Sequence, residues 1–569
     1  MFQIIVTLCI YLLLVIPVGT YLYKVTTRKH TYLDPVFDKV DKVIYRVCGI
    51  NTEQEMGWKK YAFSLVLTNA VLLLVGYLVL RIQALPLFNP NAIVGMEQTL
   101  SFNTIVSFMT NTNLQHYAGE SGLSYLSQMV VITSMMFTSA ASGYAACMAF
   151  IRGLVGKDKT NMGNFYVDFT RIITRVLIPL SLIVSILLIW QGVPQTLGAN
   201  VVASTIEGNM QNIQMGPVAA LESIKHIGTN GGGFFGANSS VPFENPTVLT
   251  NLIELFSMMI LPGACVIVFG KMIQERKGES KKSFFGSEGR TIFIAMGILF
   301  VISLFILYFS ETSFNPALKD IGLSGLIGNM EGKEVRFGIS QSVLFSATTT
   351  SFTTGTVNNM HDSLTPLGGM VTLLNMMLNL VFGGKGVGLM NMVIYVIMTV
   401  FICGLMIGRT PEYLGKKIGG KEMKLAAICI IIHPLLILAF SAIAVSTQAG
   451  VAGISNPGFH GLTQILYEFA SSAANNGSGF EGLADNSPFW NITTGLVMFF
   501  GRYLSIVIQL AIAGSLMKKQ FVQESVGTLK TDTMTFAIAL VIIVYIFAAL
   551  TFFPVISLGP VAEHLVLWG

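Results

Sequence analysis

The sequence predicts an all-α, polytopic membrane protein with ten transmembrane helices, and its composition and apolar runs lead to this fold class. Of its 569 residues, 53% are hydrophobic and only 11% are Asp, Glu, Lys or Arg, whereas an average soluble domain carries about 25% charged residues. Several uncharged apolar runs reach about 20 residues, the length that crosses the hydrocarbon core of a bilayer. The formal net charge of +5 is small, and the basic residues follow a membrane topology, so no nucleic acid is expected as a partner.

Ten membrane-crossing segments are predicted from these runs. They lie near residues 3–23, 61–82, 124–150, 172–192, 248–272, 291–310, 365–407, 424–446, 488–516 and 533–553. The first lacks a basic leader and a small-residue cleavage site, so we expect a retained helix. The seventh is too long for one straight span. Its glycine cluster predicts a break in mid-membrane, because glycine is a poor helix former: Gly383, Gly384, Lys385, Gly386, Val387 and Gly388.

The distribution of Lys and Arg predicts the orientation of the chain. The loops on one side hold 27 of the 34 basic residues: 24–60, 151–175, 271–290, 409–424 and 517–530. Basic loops stay in the cytoplasm. We therefore expect this side to be cytoplasmic and both termini to lie outside. The six cysteines are far apart in the sequence, so neither a disulfide framework nor a zinc site is expected.

The outer loops contain a fourfold repeat. In each of four loops, an apolar stretch of about 12 residues, too short to cross, leads into a cluster of Thr, Asn, Gly and Ser. The stretches are Gln98–Met109, Pro217–Gly228, Gly338–Thr350 and His460–Ala473. The clusters are Thr110, Asn111, Thr112, Asn113 and Gln115; Thr229, Asn230, Gly231, Gly232 and Gly233; Thr353, Thr354, Gly355 and Thr356; and Ala474, Asn475, Asn476, Gly477 and Ser478.

The spacing of the clusters is nearly constant. Counted from Asn111 through Asn230 and Thr354 to Asn475, it is 119, 124 and 121 residues. One such cluster is only a turn signal, but four at this spacing predict four span–pore–span repeats around a pseudo-fourfold axis, with re-entrant pore helices and extended filter strands. The predicted division is 1–60 (extra helix and cytoplasmic loop), 61–150, 172–272, 291–407 (broken at 383–388) and 424–516 (the four repeats), and 533–553 (a last extra helix).

Four polar strands that meet on one axis suit the binding of a dehydrated cation. Rings of backbone carbonyls can replace the hydration shell of an ion, and glycine allows the left-handed angles that turn successive carbonyls the same way. Each half-helix would also direct its partially negative C-terminal end at the axis. The clusters contain no carboxylate, so potassium is the ion that they are predicted to bind.

These motifs together resemble the potassium-binding subunits of Kdp-type potassium-transporting ATPases, over essentially the whole length. The stretches that carry the resemblance are Thr110–Asn113 with Gln115, Gly228–Phe235, Asn358–Ser363, Gly408–Leu414 and Ala474–Ser478. The resemblance implies four span–pore–span units with one extra helix at each end, in a bacterial cytoplasmic membrane. It also implies that external K⁺ is bound in a filter and passed through a tunnel to a catalytic P-type ATPase subunit, with small single-span subunits and membrane lipids as further partners. The segment Gly383–Gly388 would then be an internal barrier.

The chain itself is not expected to bind ATP or another nucleotide. It has no GxxxxGK[ST] phosphate loop. Asp158-Lys159-Thr160 begins like the phosphorylation motif of P-type ATPases, but Asn161-Met162 follows in a loop too short for an ATP-binding domain. The histidines at 226, 361, 433 and 460 are isolated in the sequence and are expected to be packed or interfacial.

Two basic residues lie inside apolar segments, where charges are expensive and usually functional. Lys385 is predicted to act as a tethered cation that closes the ion path. Arg502 is predicted to repel cations from the cytoplasmic exit and turn them sideways; the alternative is a structural hydrogen bond to the broken helix.

Two other functions are alternatives to that of an ATPase subunit. One is a stand-alone channel or secondary transporter of the Trk, Ktr or HKT type, which would move K⁺ when expressed alone. The other is a membrane enzyme acting on lipids, which is disfavoured because the spans show no paired carboxylates, metal set or nucleophile–base pair.

Overall fold

The computed structural model describes residues 1–156, 161–278, 283–316, 322, 328–522 and 528–569. The motif at 158–160 lies outside the described residues. Within them, ten helices are long and apolar enough to cross a membrane, and each overlaps a predicted span. We call them spans 1–10: Phe2–Thr26, Trp58–Arg81, Ser127–Val155, Phe165–Trp190, Val248–Lys277, Ser287–Thr312, Gly384–Met406, Gly420–Val445, Pro488–Met517 and Met534–Trp568. The predicted all-α, ten-span fold class is confirmed.

Capping residues fix where several spans begin and end. Thr247 precedes span 5, and its hydroxyl accepts the backbone N–H of Thr250 at 3.1 Å while the Thr250 hydroxyl accepts the N–H of Thr247 at 2.9 Å. This reciprocal cap satisfies two amides that the helix leaves free. The same span ends at Gly278, whose φ of 64° is the left-handed geometry that glycine supplies.

Four shorter helices lie between pairs of spans and are the pore helices of the predicted repeats. Pore helices 1–4 are Gln98–Met109, Val218–Ile227, Gly338–Ser351 and Phe459–Ala474. The span after each pore helix belongs to an inner ring: spans 3, 5, 7 and 9 are 72%, 78%, 56% and 56% buried, against 28% to 44% for the other six. The four span–pore–span units therefore surround a common axis.

The seventh span is broken, as predicted, but the break begins earlier. A helix over Pro366–Leu378 ends at Asn379, which takes a left-handed φ of 48°, and the next helix, Val387–Met406, starts after Gly386. Asparagine tolerates this conformation, so the first half of the helix stops before the glycines are reached. Gly388, predicted to lie in the break, instead lies in the second helix.

A short helix, Asp34–Val47, follows span 1 on the side of the basic loops. It packs on Arg175 near the start of span 4, whose guanidinium Nε donates to Asp34 at 2.8 Å and whose two terminal nitrogens donate to Asp38 and Asp41. Arg175 is 1% exposed, so the contact is a buried ionic cluster.

Two antiparallel hairpins interrupt the helical architecture and were not predicted. Val201–Ser204 pairs with Met210–Ile213, and Glu412–Tyr413 pairs with Lys416–Lys417. In the second hairpin the buried Lys416 ammonium donates to the carbonyls of Leu154 at 2.9 Å and Gly156 at 2.5 Å, at the end of span 3. The hairpin therefore caps that helix terminus.

Candidate functional site

All four pore helices end in the same backbone motif. At the end of each helix one N–H reaches the carbonyl five residues back: Thr112 to Ser107 at 2.9 Å, Asn230 to Lys225 at 2.8 Å, Thr354 to Thr349 at 2.9 Å and Asn476 to Ser471 at 2.9 Å. The residue before each donor is left-handed: Asn111 (φ 62°), Thr229 (47°), Thr353 (53°) and Asn475 (54°). This is a Schellman-type helix end, and it turns each chain from the pore helix into an extended stretch.

The shared motif corrects the alignment of the repeats. Thr112, Asn230, Thr354 and Asn476 are the structurally equivalent residues. The spacing counted from Asn111 and Asn475 was therefore one residue out of register in the first and fourth repeats. The sequence count matched residue types, whereas the helix ends fix the equivalence by geometry.

The polar stretches converge at the axis. We call residues 110–115, 229–233, 353–357 and 474–478 filter segments 1–4. Each pair of neighbouring segments touches at a glycine. A Cβ added to that glycine would come closer than 3.0 Å to a backbone carbonyl oxygen of the neighbouring segment, a separation that real Cβ atoms essentially never show. These contacts form a closed ring: Gly232 faces Asn113, Gly231 faces Thr354, Gly355 faces Asn476, and Gly477 faces Thr112. Each segment touches both neighbours, so the four filter segments meet around one axis, as predicted.

Asparagine side chains tie the segments to one another. Asn111 Nδ2 donates to the Thr229 carbonyl at 2.9 Å, and its Oδ1 accepts from Asn230 Nδ2 at 2.8 Å. Asn475 Nδ2 donates to Thr112 Oγ1 at 3.0 Å, and Asn476 Nδ2 donates to the Thr349 carbonyl at 2.9 Å. The side-chain amides of Asn111, Asn475 and Asn476 are thus held by the scaffold, whereas Asn113 Oδ1 and Asn230 Oδ1 are buried and accept no hydrogen bond from the described residues.

Backbone carbonyls at the axis also remain available. Those of Thr112, Thr354 and Asn476 accept no hydrogen bond from the residues that the structure describes. All three residues are fully buried. A buried carbonyl without a donor is unusual, and three at equivalent positions around one axis form a set of uncharged oxygens suited to a dehydrated monovalent cation.

Six other predicted filter residues support the ring: Gln115 and Gly233, which bond to each other, and four more. Gln115 joins segments 1 and 2, because its Oε1 accepts the Gly233 N–H at 2.7 Å and its Nε2 donates to the Gly233 carbonyl at 3.0 Å. The remaining four make these contacts: Thr110 Oγ1 with Thr112 Oγ1 at 2.7 Å, Thr356 Oγ1 with Ser239 Oγ at 3.2 Å, Ser478 Oγ with Asn476 Oδ1 at 2.6 Å, and the Ala474 carbonyl with Asn379 Nδ2 at 3.3 Å. Their contacts are to protein groups behind the carbonyls.

The broken loop of the seventh span lies directly beneath the filter segments. Gly384 packs against Thr229, with no space for a Cβ, and the Gly383 N–H donates to the Ser351 carbonyl at 3.2 Å. The Lys385 ammonium donates to the Asn475 carbonyl at 2.5 Å. A basic side chain is thus held against the inner end of segment 4.

Arg502 lies beside Lys385. A Cβ on Gly143 would come within 3.0 Å of both Arg502 Nη2 and Lys385 Cβ, and Arg502 Nη2 donates to the Ser139 carbonyl at 3.4 Å. The alternative of a hydrogen bond to the broken helix is therefore not what the structure shows, since Ser139 belongs to span 3. Two basic side chains packed together in the interior are costly, which is typical of a functional position.

The outer ends of the segments open into a vestibule of about 940 Å³. Gln115, Gly355, Gly477 and Ser478 line its floor, and His116 and Asp485 line its wall. Burial alone would lower the pKa of His116, but the carboxylates of Asp485 and Glu468 raise it to about 9. These two carboxylates therefore favour the positively charged form of the His116 imidazole.

Sequence reasoning missed some residues of this region. Asn379 ends the broken helix and ties it to Ala474; the signal was an Asn shortly before a glycine cluster. His116 and Glu468, which pair at 3.1 Å, are 352 positions apart in the chain. No sequence pattern links them.

Two of the four histidines that stand alone in the sequence lie beside carboxylates of other elements. His226 lies 3.3 Å from Glu254, and His460 lies 3.0 Å from Asp362 and 2.8 Å from Glu563. His361 and His433 are packed as expected, bonded to the Tyr467 hydroxyl at 2.7 Å and the Met376 carbonyl at 3.0 Å.

Comparison with known proteins assigns the family. The family described as potassium-transporting ATPase A subunit (KdpA) matches residues 5–565. The chain is 58% identical over 565 residues to the potassium-transporting ATPase potassium-binding subunit of Clostridium acetobutylicum, covering 99% of each chain. It is 56% identical over 563 residues to the protein of that name from Geobacillus kaustophilus, covering 99% of this chain and 98% of the relative.

A solved structure shares the fold. The potassium transporter TrkH from Vibrio parahaemolyticus superposes with a TM-score of 0.53 at 14% identity, covering 88% of this chain and 96% of that one. At this identity the similarity concerns the architecture alone. The sequence matches extend over nearly the whole length, and the chain belongs to the family of potassium-transporting ATPase A subunits.

Proposed function

We propose that this chain is the potassium-binding subunit of a Kdp-type ATPase: it captures K⁺ from the external side in the four filter segments and delivers it to a catalytic P-type ATPase subunit. The observation that carries the proposal is the closed ring of segments, with buried carbonyls of Thr112, Thr354 and Asn476 that accept no hydrogen bond from described residues. Such carbonyls compensate for the water that a cation loses.

The electrostatics of the ring favour a monovalent ion. The filter segments contain no carboxylate, and four helix C-termini end at the ring, each with a partial negative charge. Partial charges of this kind stabilise one positive charge without the tight binding that an anionic site would impose. This donor set supports K⁺ as the substrate.

The inner side of the filter supports delivery within the membrane. The Lys385 ammonium at the Asn475 carbonyl opposes straight passage of a second cation. A cleft runs sideways from this level, lined by Asn379, Asn475 and Arg502 at one end and by Phe547, Ala548 and Thr551 of span 10 at the other. We propose that Gly383, Gly384, Lys385, Gly386 and Gly388 form the barrier and that Arg502 turns the ion into this cleft.

The chain is proposed to be non-catalytic. Its relatives are named as the potassium-binding subunit of an ATPase, and the chain has no phosphate-binding loop. ATP would then be bound and hydrolysed by the catalytic partner, with small single-span subunits and lipids completing the complex. The bias of Lys and Arg supports both termini outside a bacterial cytoplasmic membrane.

The alternative is a stand-alone transporter of the Trk, Ktr or HKT type, favoured by the fold similarity to TrkH. The discriminating experiment expresses the chain alone and together with its catalytic partner in cells that lack other K⁺ uptake systems. We expect uptake at low external K⁺ and a K⁺-stimulated ATPase only when a P-type subunit copurifies. K⁺ uptake by the chain alone, without a copurifying ATPase, would establish the alternative.

A further inference from the structure

We propose that His116, Glu468 and Asp485 form a binding site for a divalent transition-metal cation, with Zn²⁺ as the probe, in the wall of the outer vestibule. We further infer that occupation of this site from outside weakens K⁺ capture. The second part rests on the proposed function, whereas the first part does not.

The hydrogen bonds around His116 fix the orientation of its ring. The Asn491 amide nitrogen donates to Thr99 Oγ1 at 3.1 Å, and this hydroxyl in turn donates to Glu97 at 2.7 Å, so it can only accept from Asn491. The Asn491 carbonyl oxygen therefore faces His116, and His116 Nδ1–H donates to it at 2.7 Å. The other ring nitrogen, Nε2, faces the carboxylates of Glu468 and Asp485, where it shares a proton with them until a metal ion displaces that proton and takes up the Nε2 lone pair.

The Nε2 atom of His116 faces two carboxylates. His116 Nε2 lies 3.1 Å from Glu468 Oε1 and 3.8 Å from Asp485 Oδ2, and the ligand atoms of the three residues lie within 4.8 Å of one another. The three groups need a positive species between them, which is either the proton on Nε2 or a metal ion that replaces it. Zinc bonds of 2.0–2.2 Å in tetrahedral geometry place two donors about 3.3 Å apart, so the observed separations need only small movements.

The surroundings match those of an open metal site. The Asn491 oxygen on Nδ1–H is the outer partner that usually orients a metal-bound histidine. His116 and Glu468 are buried, whereas the Asp485 side chain is 25% exposed and lines the vestibule. A water molecule from the vestibule can therefore supply the fourth ligand. One imidazole with two carboxylates favours zinc-like ions over Mg²⁺ and Ca²⁺, which prefer oxygen ligands alone.

Two other histidine clusters lack this combination. In the His460 cluster each ring nitrogen pairs with a separate carboxylate, Asp362 or Glu563, so no common point is left for an ion. In the cluster of Glu222, His226 and Glu254 all three side chains are fully buried, so an ion has no direct approach from outside.

The position of the site predicts its effect. The vestibule whose wall holds His116 has Gly355 and Gly477 of the filter in its floor. A dication in that wall repels an arriving K⁺. We expect bound Zn²⁺ to raise the K⁺ concentration for half-maximal uptake by at least about threefold at moderate ionic strength, with the maximal rate largely retained.

Direct binding tests the site without any transport. The purified complete complex is dialysed against micromolar ZnCl₂ in excess MgCl₂, and its zinc content is measured by elemental mass spectrometry. We expect wild type to hold one more Zn²⁺ than His116→Asn. Asp485→Asn, at the half-open ligand, should show the same loss and covers the case in which His116→Asn does not assemble. His460→Asn is the matched control and should keep the wild-type stoichiometry. Equal zinc content in wild type, His116→Asn and Asp485→Asn would overturn the site.

Uptake by intact cells tests the consequence, because Zn²⁺ added outside reaches only the vestibule side. We expect external Zn²⁺ to shift the K⁺ dependence of wild type and His460→Asn, but not that of His116→Asn. Zinc binding with no shift in wild type would overturn the effect on capture and leave the site standing. A complex that binds zinc but takes up no K⁺ would overturn the proposed function and leave the metal site intact.

Discussion

At the residue scale, four positions of the filter require a left-handed backbone, and they show which residue types can supply it. These positions are Asn113, Gly231, Gly355 and Gly477, with φ of 59°, 100°, 95° and 107°. Each lies two residues after the left-handed residue at the end of its pore helix. Glycine adopts such angles without cost, and asparagine is one of the few other residues that tolerate them. Asn113 is therefore the equivalent of a glycine.

Gly232 provides a sharp test of the ring. Its φ is 66°, and a Cβ there would lie 2.8 Å from the Asn113 carbonyl oxygen. Gly232→Asp should displace that carbonyl and place a carboxylate among the ligands. We expect the apparent K⁺ affinity of the complex to fall about tenfold, which corresponds to about 1.4 kcal/mol, and selectivity over other monovalent ions to relax. K⁺-dependent ATPase titrations with K⁺, Rb⁺ and Na⁺ measure both.

Gly208→Asp is the matched control for this substitution. Gly208 has a φ of 84° in the outer hairpin loop, with nothing within 4 Å of an added Cβ. It carries a comparable backbone strain far from the ring and should leave affinity and selectivity unchanged. If Gly232→Asp behaved like Gly208→Asp, segment 2 would not touch the ion.

Lys385 tests the barrier. Its ammonium is bonded to the Asn475 carbonyl, so Lys385→Ala should free that oxygen and remove a fixed charge from the path. We expect a several-fold rise in passive K⁺ flux through the complex in liposomes without ATP, together with weaker coupling of ATP hydrolysis to uptake. Lys424→Ala, at an exposed position, is the control. Unchanged leak and transport in Lys385→Ala would remove the gating role.

At the scale of elements, the helix Asp34–Val47 is held by charge. Its acidic residues at positions 34, 38 and 41 all contact Arg175, whereas Val36, Val40, Val43 and Val47 are exposed. The helix therefore docks by its acidic side. The loop before span 2 is held separately, because Asn164 Nδ2 donates to the carbonyls of Asn51 at 3.0 Å and Gln54 at 2.9 Å.

Replacing Arg175 should undock this helix. Arg175→Met removes the ionic partner of the buried Asp41 carboxylate and leaves Asp34, among the described residues, with only the Thr31 N–H and the more distant Arg171, and breaking a buried ion pair costs about 3–5 kcal/mol. We expect a clearly lower midpoint of thermal unfolding for the purified complex. Asp38→Asn is the control, because the Asp38 side chain is 54% exposed and exposed pairs contribute about 0–1 kcal/mol. Equal midpoints for both variants would show that the cluster does not hold the helix.

At the scale of the whole molecule, the arrangement of inner and outer spans leaves one lateral cleft below the filter for the proposed delivery route. Ala548 of span 10 lines it and is 7% exposed. Ala548→Trp should fill the cleft. The indole would obstruct the proposed route, and an added barrier of about 1.4 kcal/mol lowers a rate about tenfold. We therefore expect the K⁺-stimulated ATPase rate of the complex to fall by about that factor, while K⁺ binding measured by isothermal titration persists.

Leu550→Trp is the matched control for the cleft, because Leu550 lies on the same helix with 79% of its surface exposed. It adds the same indole outside the cleft and should retain wild-type ATPase activity. Full activity of Ala548→Trp would argue that the ion leaves the filter by another route.

The repeat architecture was predictable, because it depends on local properties of the sequence. The lengths of apolar runs and the four polar clusters gave ten spans and four pore helices, and the helices found overlap them. The division at 61–150, 172–272, 291–407 and 424–516 stays a prediction, as do the individual filter ligands. The register was predicted wrongly by one residue in two repeats, since it depends on backbone bonds such as Thr112 to Ser107.

The sequence by itself determined that the chain spans a membrane ten times, that its seventh span is interrupted and which uncharged residues follow each pore helix, because hydrophobic length and backbone freedom act locally. Only the tertiary structure decided which oxygens remain unbonded at the axis, that Lys385 reaches the Asn475 carbonyl, and that His116 meets Glu468 and Asp485. These contacts join groups far apart in the chain, 90 residues for Lys385 and Asn475 and 352 residues for His116 and Glu468, and their geometry follows from the packing of four repeats around one axis.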